Sequence, residues 1–153
     1  GGWSDRMRFD LVVNTMTKCA LSEGKIVVNN PELWRPLIDI RDVVQAYEKA
    51  IFSDLSVTGI FNICSENYTI GNLANIIAKQ IHTSNNNVCL EINHRKDARN
   101  YLASNEKAVK ILNFAPKYSP KDSVKEILAN TSNKSFNFYD KNYYNIKTFK
   151  ELF

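Results

Sequence analysis

At 153 residues the chain is one domain's worth of sequence, or part of a larger domain. Its 44% hydrophobic and 24% charged residues are ordinary for a soluble globular protein. The net charge of +4 is spread, apart from Arg95, Lys96 and Arg99, which argues against the concentrated basic face of a nucleic-acid binder. No apolar run approaches the ~20 residues that span a bilayer, and Gly1 to Arg6 lacks the apolar stretch of a signal peptide, so a cytoplasmic location is expected.

Residues 8 to 21 predict a helix, with Phe9, Val12, Val13, Met16 and Ala20 on one apolar face and Asn14 on the other side. Gly24 suits its C-terminal stop. That the chain opens almost directly on this helix suggests a piece cut from something longer. Ile26-Val27-Val28 predicts a strand, Asn29-Asn30-Pro31 a turn, and Leu37 to Ile40 a second strand. Asp42 is expected to open a helix that buries Val43, Tyr47, Ala50 and Ile51. Gly59 to Cys64 is nearly continuous apolar sequence, as in a strand covered on both faces. Thr69 caps a helix with Ile70, Leu73, Ala74, Ile77 and Ile81 on one face. Residues 83 to 87 read as a loop and Val88 to Ile92 as a strand. After an irregular polar stretch over 93–103, a short helix runs from Ser104 through Leu112. Ser119, Pro120 and Asp122 predict a capping box and first-turn proline for a helix burying Val124, Ile127 and Leu128. Beyond Asn130 the chain turns polar and aromatic, a tail that packs onto something or is partly mobile. The alternation gives α/β, about four strands and five helices, with a main portion over 1–132 and a C-terminal tail over 133–153.

Cys19, Cys64 and Cys89 are odd in number, far apart and in apolar contexts, so buried free thiols are expected rather than a disulfide framework or zinc site. His82 and His94 are too scattered for a metal site. The five glycines, Gly1, Gly2, Gly24, Gly59 and Gly71, cannot make a G-x-G-x-x-G turn or a P-loop. No G-x-S-x-G or H-E-x-x-H occurs. Tyr143 and Lys147 have Y-x-x-x-K spacing, but in a tail remote from any dinucleotide-binding unit. Arg35, at a strand mouth, suits a phosphate, since its planar fork matches two oxygens; an ordinary surface ion pair is the alternative.

Several blocks together carry a family resemblance: Arg6 to Asn14, Gly24 to Val28, Trp34 to Val43, Gly59 to Ile63, Asp97 to Tyr101 with Lys107, and Leu112 to Pro116. Their order resembles the C-terminal part of the extended short-chain dehydrogenase/reductases, the NAD(P)-dependent nucleotide-sugar epimerases and dehydratases; the tail segment 144–148 is similar to one branch. The resemblance implies a nucleotide-diphosphate-sugar-binding portion. The NAD or NADP site and the catalytic Tyr-Lys would lie in a Rossmann half absent here, so this chain alone would bind no cofactor. It further implies that Asn14 bonds the diphosphate or sugar, and that Val27 and Val28 meet the nucleobase. Arg35 would grip the diphosphate with Arg99 as a second clamp, Tyr101 would orient the Arg99 loop, and Gly59 to Cys64 would complete the edge of the missing sheet. Expected partners are a nucleotide-diphosphate sugar, the missing Rossmann half and a second copy of the chain. The alternatives are a non-catalytic module that pairs with a complete enzyme and, last, a small nucleic-acid binder.

Overall fold

The computed structural model describes residues 1–82, 87–96, 99–132 and 136–152. Helix α1 (Val12–Glu23) leads into strand β1 (Lys25–Asn29), then β2 (Trp34–Leu37) and α2 (Ile40–Ile51). Strand β3 (Glu66–Thr69), α3 (Ile70–His82) and β4 (Cys89–Asn93) follow. Helices α4 (Glu106–Leu112), α5 (Pro120–Thr131) and α6 (Asn145–Leu152) complete the fold, with a 3₁₀ turn at Lys141–Tyr143 before α6. Strand β1 pairs in parallel with β4, and β2 antiparallel with β3. The α/β class agrees with the sequence, as does the count of four strands, although one of the four is a different segment and the described residues form six α-helices rather than about five.

The main core forms where α1, α3 and α5 meet β1. Val13, Met16 and Ala20 face Leu73, Ala74, Ile77 and Ile81, with Ile26, Val28 and Val124 completing the cluster. Helix α3 follows its sequence pattern closely, because its apolar residues recur at helical spacing and Thr69 Oγ1 accepts from the Asn72 N–H at 3.2 Å. Gly24 closes α1 in the left-handed conformation at φ 66°. The capping box at α5 forms as expected. Among the described residues no helix is long and apolar enough to cross a membrane.

Six expectations need correction. Helix α1 starts at Val12 rather than Arg8, and Phe9 is buried in a separate aromatic cluster. Helix α2 opens at Asp39: its carboxylate accepts from the Arg41 N–H at 3.0 Å, while Asp42 lies inside the first turn and accepts from the Lys117 and Tyr118 N–H groups at 2.9 and 3.0 Å. The second strand accordingly ends at Leu37. The apolar stripe of α2 faces outward, leaving Tyr47 68% and Ile51 74% exposed. Residues 59–64 form no strand and have no ladder partner among the described residues, Gly59 being a bend at φ 106°; a strand needs a neighbour to pair with. Strand β3, unmarked by apolar alternation, takes that place in the order. Of the cysteines only Cys64 is buried; Cys89 is exposed on β4. The described part of the predicted loop is residue 87 alone, and Asp97 lies outside the described residues.

Asp39 is 2% exposed and engages Arg41 Nε at 2.7 Å, Arg41 Nη2 at 3.0 Å and the Ser123 hydroxyl of α5. Burial pushes its carboxyl up, but the Arg41 and Ser123 hydrogen bonds outweigh this and hold it below the ordinary value. A depressed folded pKa adds stability that is complete above the unfolded value of about 3.9 and is lost as pH falls through the folded one. Asp39→Asn is therefore expected to cost about 3 kcal/mol at pH 7 in urea denaturation. It should also flatten the loss of stability at acid pH; an equal acid slope in both proteins would count against this role.

Candidate functional site

A cavity of about 450 Å³ opens between the N-terminal loop, the start of α1 and the β2–α2 connection. Arg35 and Tyr101 stand on one side, and Trp3, Ser4 and Arg8 on the loop. Apolar floor comes from Val13, Leu37 and Val43. Two guanidinium groups in one concave, largely apolar setting suit a ligand carrying phosphate oxygens.

Arg35 is held rather than loose. Its Nη1 donates to the Trp34 carbonyl at 2.7 Å and to the Arg99 carbonyl at 2.6 Å, and the guanidinium lies 5.3 Å from the centre of the Tyr101 ring. Both carbonyl bonds use one nitrogen, so the side chain is oriented by its neighbours. Arg8 pairs with Asp10 at 2.8 and 3.1 Å. The Arg8 hydrogen bond pulls the Asp10 carboxyl down and raises the guanidinium. The Arg8 side chain is 43% exposed, so this pair is solvent-screened and weak.

Asn14 is 2% exposed, not on an open polar face. Its Nδ2 donates to the Arg8 carbonyl at 3.1 Å and the Gly2 carbonyl at 3.4 Å, which uses both amide hydrogens. Its Oδ1 is buried and accepts no bond among the described residues. Gly2 is required beneath it: φ is +108°, and a Cβ there would sit 3.1 Å from Asp39 Oδ2 and Ile40 Cγ2.

The structure thus brings Arg35, Tyr101 and Asn14 to one cavity. Arg99 adjoins it through its carbonyl, with an exposed side chain that is not among the described lining residues. Val27 and Val28 lie in β1, Val28 within the main core, and neither lines the cavity. Arg8, Trp3 and Ser4 were missed, since nothing in their spacing distinguishes a loop that folds over a cavity from the first turn of a helix. The Tyr143–Lys147 pair leads elsewhere: Tyr143 packs into the aromatic cluster, and the Lys147 side chain is outside the described residues. Among the described residues no group of three or more His, Cys, Asp or Glu could hold a metal ion.

A nicotinamide dinucleotide does not fit the described turns. Its pyrophosphate needs a glycine-rich strand-to-helix turn. Strand β1 instead turns through Asn30 and Pro31 into β2, and at the start of α3 the space beside Gly71 is filled by Pro31 at 3.0 Å.

No family model matches the chain. Its fold is that of the C-terminal part of extended short-chain dehydrogenase/reductases. Solved structures of this fold include an epimerase, Mth375, from Methanothermobacter thermautotrophicus, with a TM-score of 0.69 and 17% identity over 82% of this chain and 38% of that one. UDP-glucuronic acid 4-epimerase from Bacillus cereus, in complex with UDP-glucuronic acid and NAD, gives 0.67 and 18% over 81% and 40%. The dTDP-glucose 4,6-dehydratase from Bacillus anthracis, in complex with NAD, gives 0.67 and 17% over 86% and 43%. The chain spans about two-fifths of the length of these enzymes.

Replacing Asn14 by Ala leaves the Gly2 and Arg8 carbonyls without their shared donor. The expected cost is about 1–3 kcal/mol in urea denaturation, the penalty for stranding buried polar groups. A change below 0.5 kcal/mol, about the size of a neutral surface substitution, would show that the amide does not hold the loop.

Proposed function

We propose that this chain is the nucleotide-diphosphate-sugar-binding portion of an NAD(P)-dependent epimerase or dehydratase. The observation that carries this reading is the joint placement of Arg35 and Arg8 on one cavity in this fold. Arg35, already oriented, grips the diphosphate. Arg8 is the second cation, exchanging its weak bond to Asp10 for phosphate oxygens, and Arg99 reinforces the rim. Tyr101 keeps the Arg35 guanidinium in plane. Asn14 holds the loop that carries Arg8 through both amide hydrogens, and only its oxygen is left for a ligand donor such as a sugar hydroxyl. Val27 and Val28, which do not line the cavity, are left out of this ligand site. Hydride transfer and the catalytic Tyr-Lys belong to the Rossmann half, and no redox step is assigned to residues of this chain.

The expected partner of the outer face is that same half. Ile40, Val44, Tyr47 and Ile51 form an exposed stripe along α2, 45–74% accessible, and Leu55 and Ile60 extend it at 98% and 86%. Beside it, residues 59–64 offer backbone groups for a sheet edge. A patch of this kind marks an interaction surface. The alternative, a non-catalytic module that docks a complete enzyme through this face, differs in needing no ligand in the cavity.

Titration calorimetry with UDP-glucuronic acid and with UDP tests the reading. Wild-type protein should bind both saturably and more weakly as salt rises. Arg35→Ala and Arg8→Ala should each cost about 1.5–3 kcal/mol of affinity. A wild-type chain that takes neither ligand at millimolar concentration removes this function and favours the module. With no Rossmann half seated on it, the outer face is expected to drive concentration-dependent self-association of the isolated chain in sedimentation velocity, and Tyr47→Glu with Ile51→Glu to abolish it while changing unfolding stability by no more than about 0.5 kcal/mol per site; a wild-type chain that stays monomeric would count against the face as an interaction surface.

A further inference from the structure

We infer that the C-terminal aromatic segment, residues 136–144, is the support that fixes the Arg8 wall of the cavity, with Phe136 and Tyr143 as positioning residues. The ligand-binding part of this inference rests on the proposed function; the mechanical part does not.

The wall is built from residues 3–11, which form neither helix nor strand. Inside, it is tied by the Asn14 bonds to Gly2 and Arg8 and by the Leu11 N–H to the Arg8 carbonyl at 3.4 Å. Its apolar anchors, Met7 and Phe9, are 0% and 2% exposed, yet they do not join the main core. They are buried with Ile127 against the tail. Four tail rings surround Phe9: Tyr143 at 5.6 Å, Phe138 at 5.7 Å, Tyr144 at 6.2 Å and Phe136 at 6.3 Å between centroids. Phe136 also meets Trp3 at 5.5 Å and stacks on Tyr143 with 4° between planes.

Polar bonds repeat the connection. The Phe9 N–H donates to the Tyr143 carbonyl at 3.1 Å, and Arg6 Nη2 to Asn145 Oδ1 at 2.8 Å. The tail is in turn pinned to α1, where the Lys18 ammonium meets the Tyr144 hydroxyl at 3.3 Å and lies 4.9 Å from the Tyr139 ring centre. Arg8 sits in sequence between the two anchors. Fixing Met7 and Phe9 fixes the Arg8 backbone, and with it the carbonyl that Asn14 holds. A looser tail leaves the wall to be ordered at ligand binding, which lowers affinity without removing a single ligand contact.

The test compares Tyr143→Ala with Tyr143→Phe in the full chain. Hydrogen exchange is read separately in peptides from residues 3–11 and from α3, and affinity for UDP-glucuronic acid is measured alongside. Tyr143→Ala should speed exchange in 3–11 at least tenfold, leave α3 protected and raise Kd at least fivefold. Tyr143→Phe, which keeps the stacked ring, should stay within twofold of wild type in both. Unchanged exchange in 3–11, or faster exchange shared equally by α3, overturns the inference, as does an unchanged Kd beside a loosened wall. Wild-type protein that binds no UDP-glucuronic acid removes the proposed function instead; the exchange comparison then decides the mechanical claim alone.

Discussion

The buried carboxylate of Asp39 is the interaction on which the rest depends. It ends the β2 arm, begins α2, receives Ser123 from α5 and binds the Arg41 guanidinium, which itself lies 3.7 Å over the Tyr118 ring and 3.5 Å from Glu126. One turn on, Asp42 collects the amides of Lys117 and Tyr118. A charge removed from water is tolerable only with this many compensating donors, together with the positive end of a helix. The result is a single node joining the arm that carries Arg35 to both helices behind it. Gly2 completes the node from the other side, because its missing side chain lets the N-terminal loop lie against Asp39 and Ile40.

The two arginines of the cavity are held in different ways. Arg35 springs from the strand that Asp39 anchors and is braced by two carbonyls and a ring. A guanidinium held like this loses little freedom when a ligand arrives, so more of each charge-assisted bond survives as affinity. Arg8 rests on an irregular loop, and its bond to Asp10 is rim-exposed, worth at most ~1 kcal/mol. Exchanging that bond for a phosphate oxygen is cheap. Preorganisation on one wall and an exchangeable partner on the other suit a site whose ligand must enter and leave.

What the sequence made legible follows from how local each cause is. Helix α3, the capping box at Ser119 and the stop at Gly24 rest on neighbours within a few positions, and all three were readable. The choice between Asp39 and Asp42 as the cap of α2 was not local: it turns on whether Ser123 and the 117–118 amides, more than 70 residues away, come to one carboxylate or the other. Asn14 falls on the polar side of a helical wheel, but a loop folded over that side buries it. Arg35 and Tyr101 were marked by residue type and by the family resemblance. Arg8 could not be, since its place depends on Met7 and Phe9 being held by rings more than 120 residues later. For α2 the pattern marks an amphipathic helix, but the helix opens at Asp39 rather than Asp42 and its stripe faces outward. Periodicity says that an apolar face needs cover, never which chain supplies it.

The outer face and the cavity adjoin, and this gives the exposed stripe a functional meaning. Val43 borders both the cavity and the apolar groove between α2 and residues 61–63. A body seated on the α2 stripe would therefore reach the rim of the cavity and cover an open recess. Closing it would exclude water from the guanidinium groups, and charge-assisted bonds strengthen as the local dielectric falls. The same contact would also meet residues 59–64, whose Ile60 and Cys64 carbonyls already accept from the Lys107 ammonium and the Asn105 side-chain amide, but which join no ladder among the described residues. A single docking event thus answers three separate features: the apolar stripe, the segment 59–64 that joins no ladder among the described residues, and the half-open site beside Arg35.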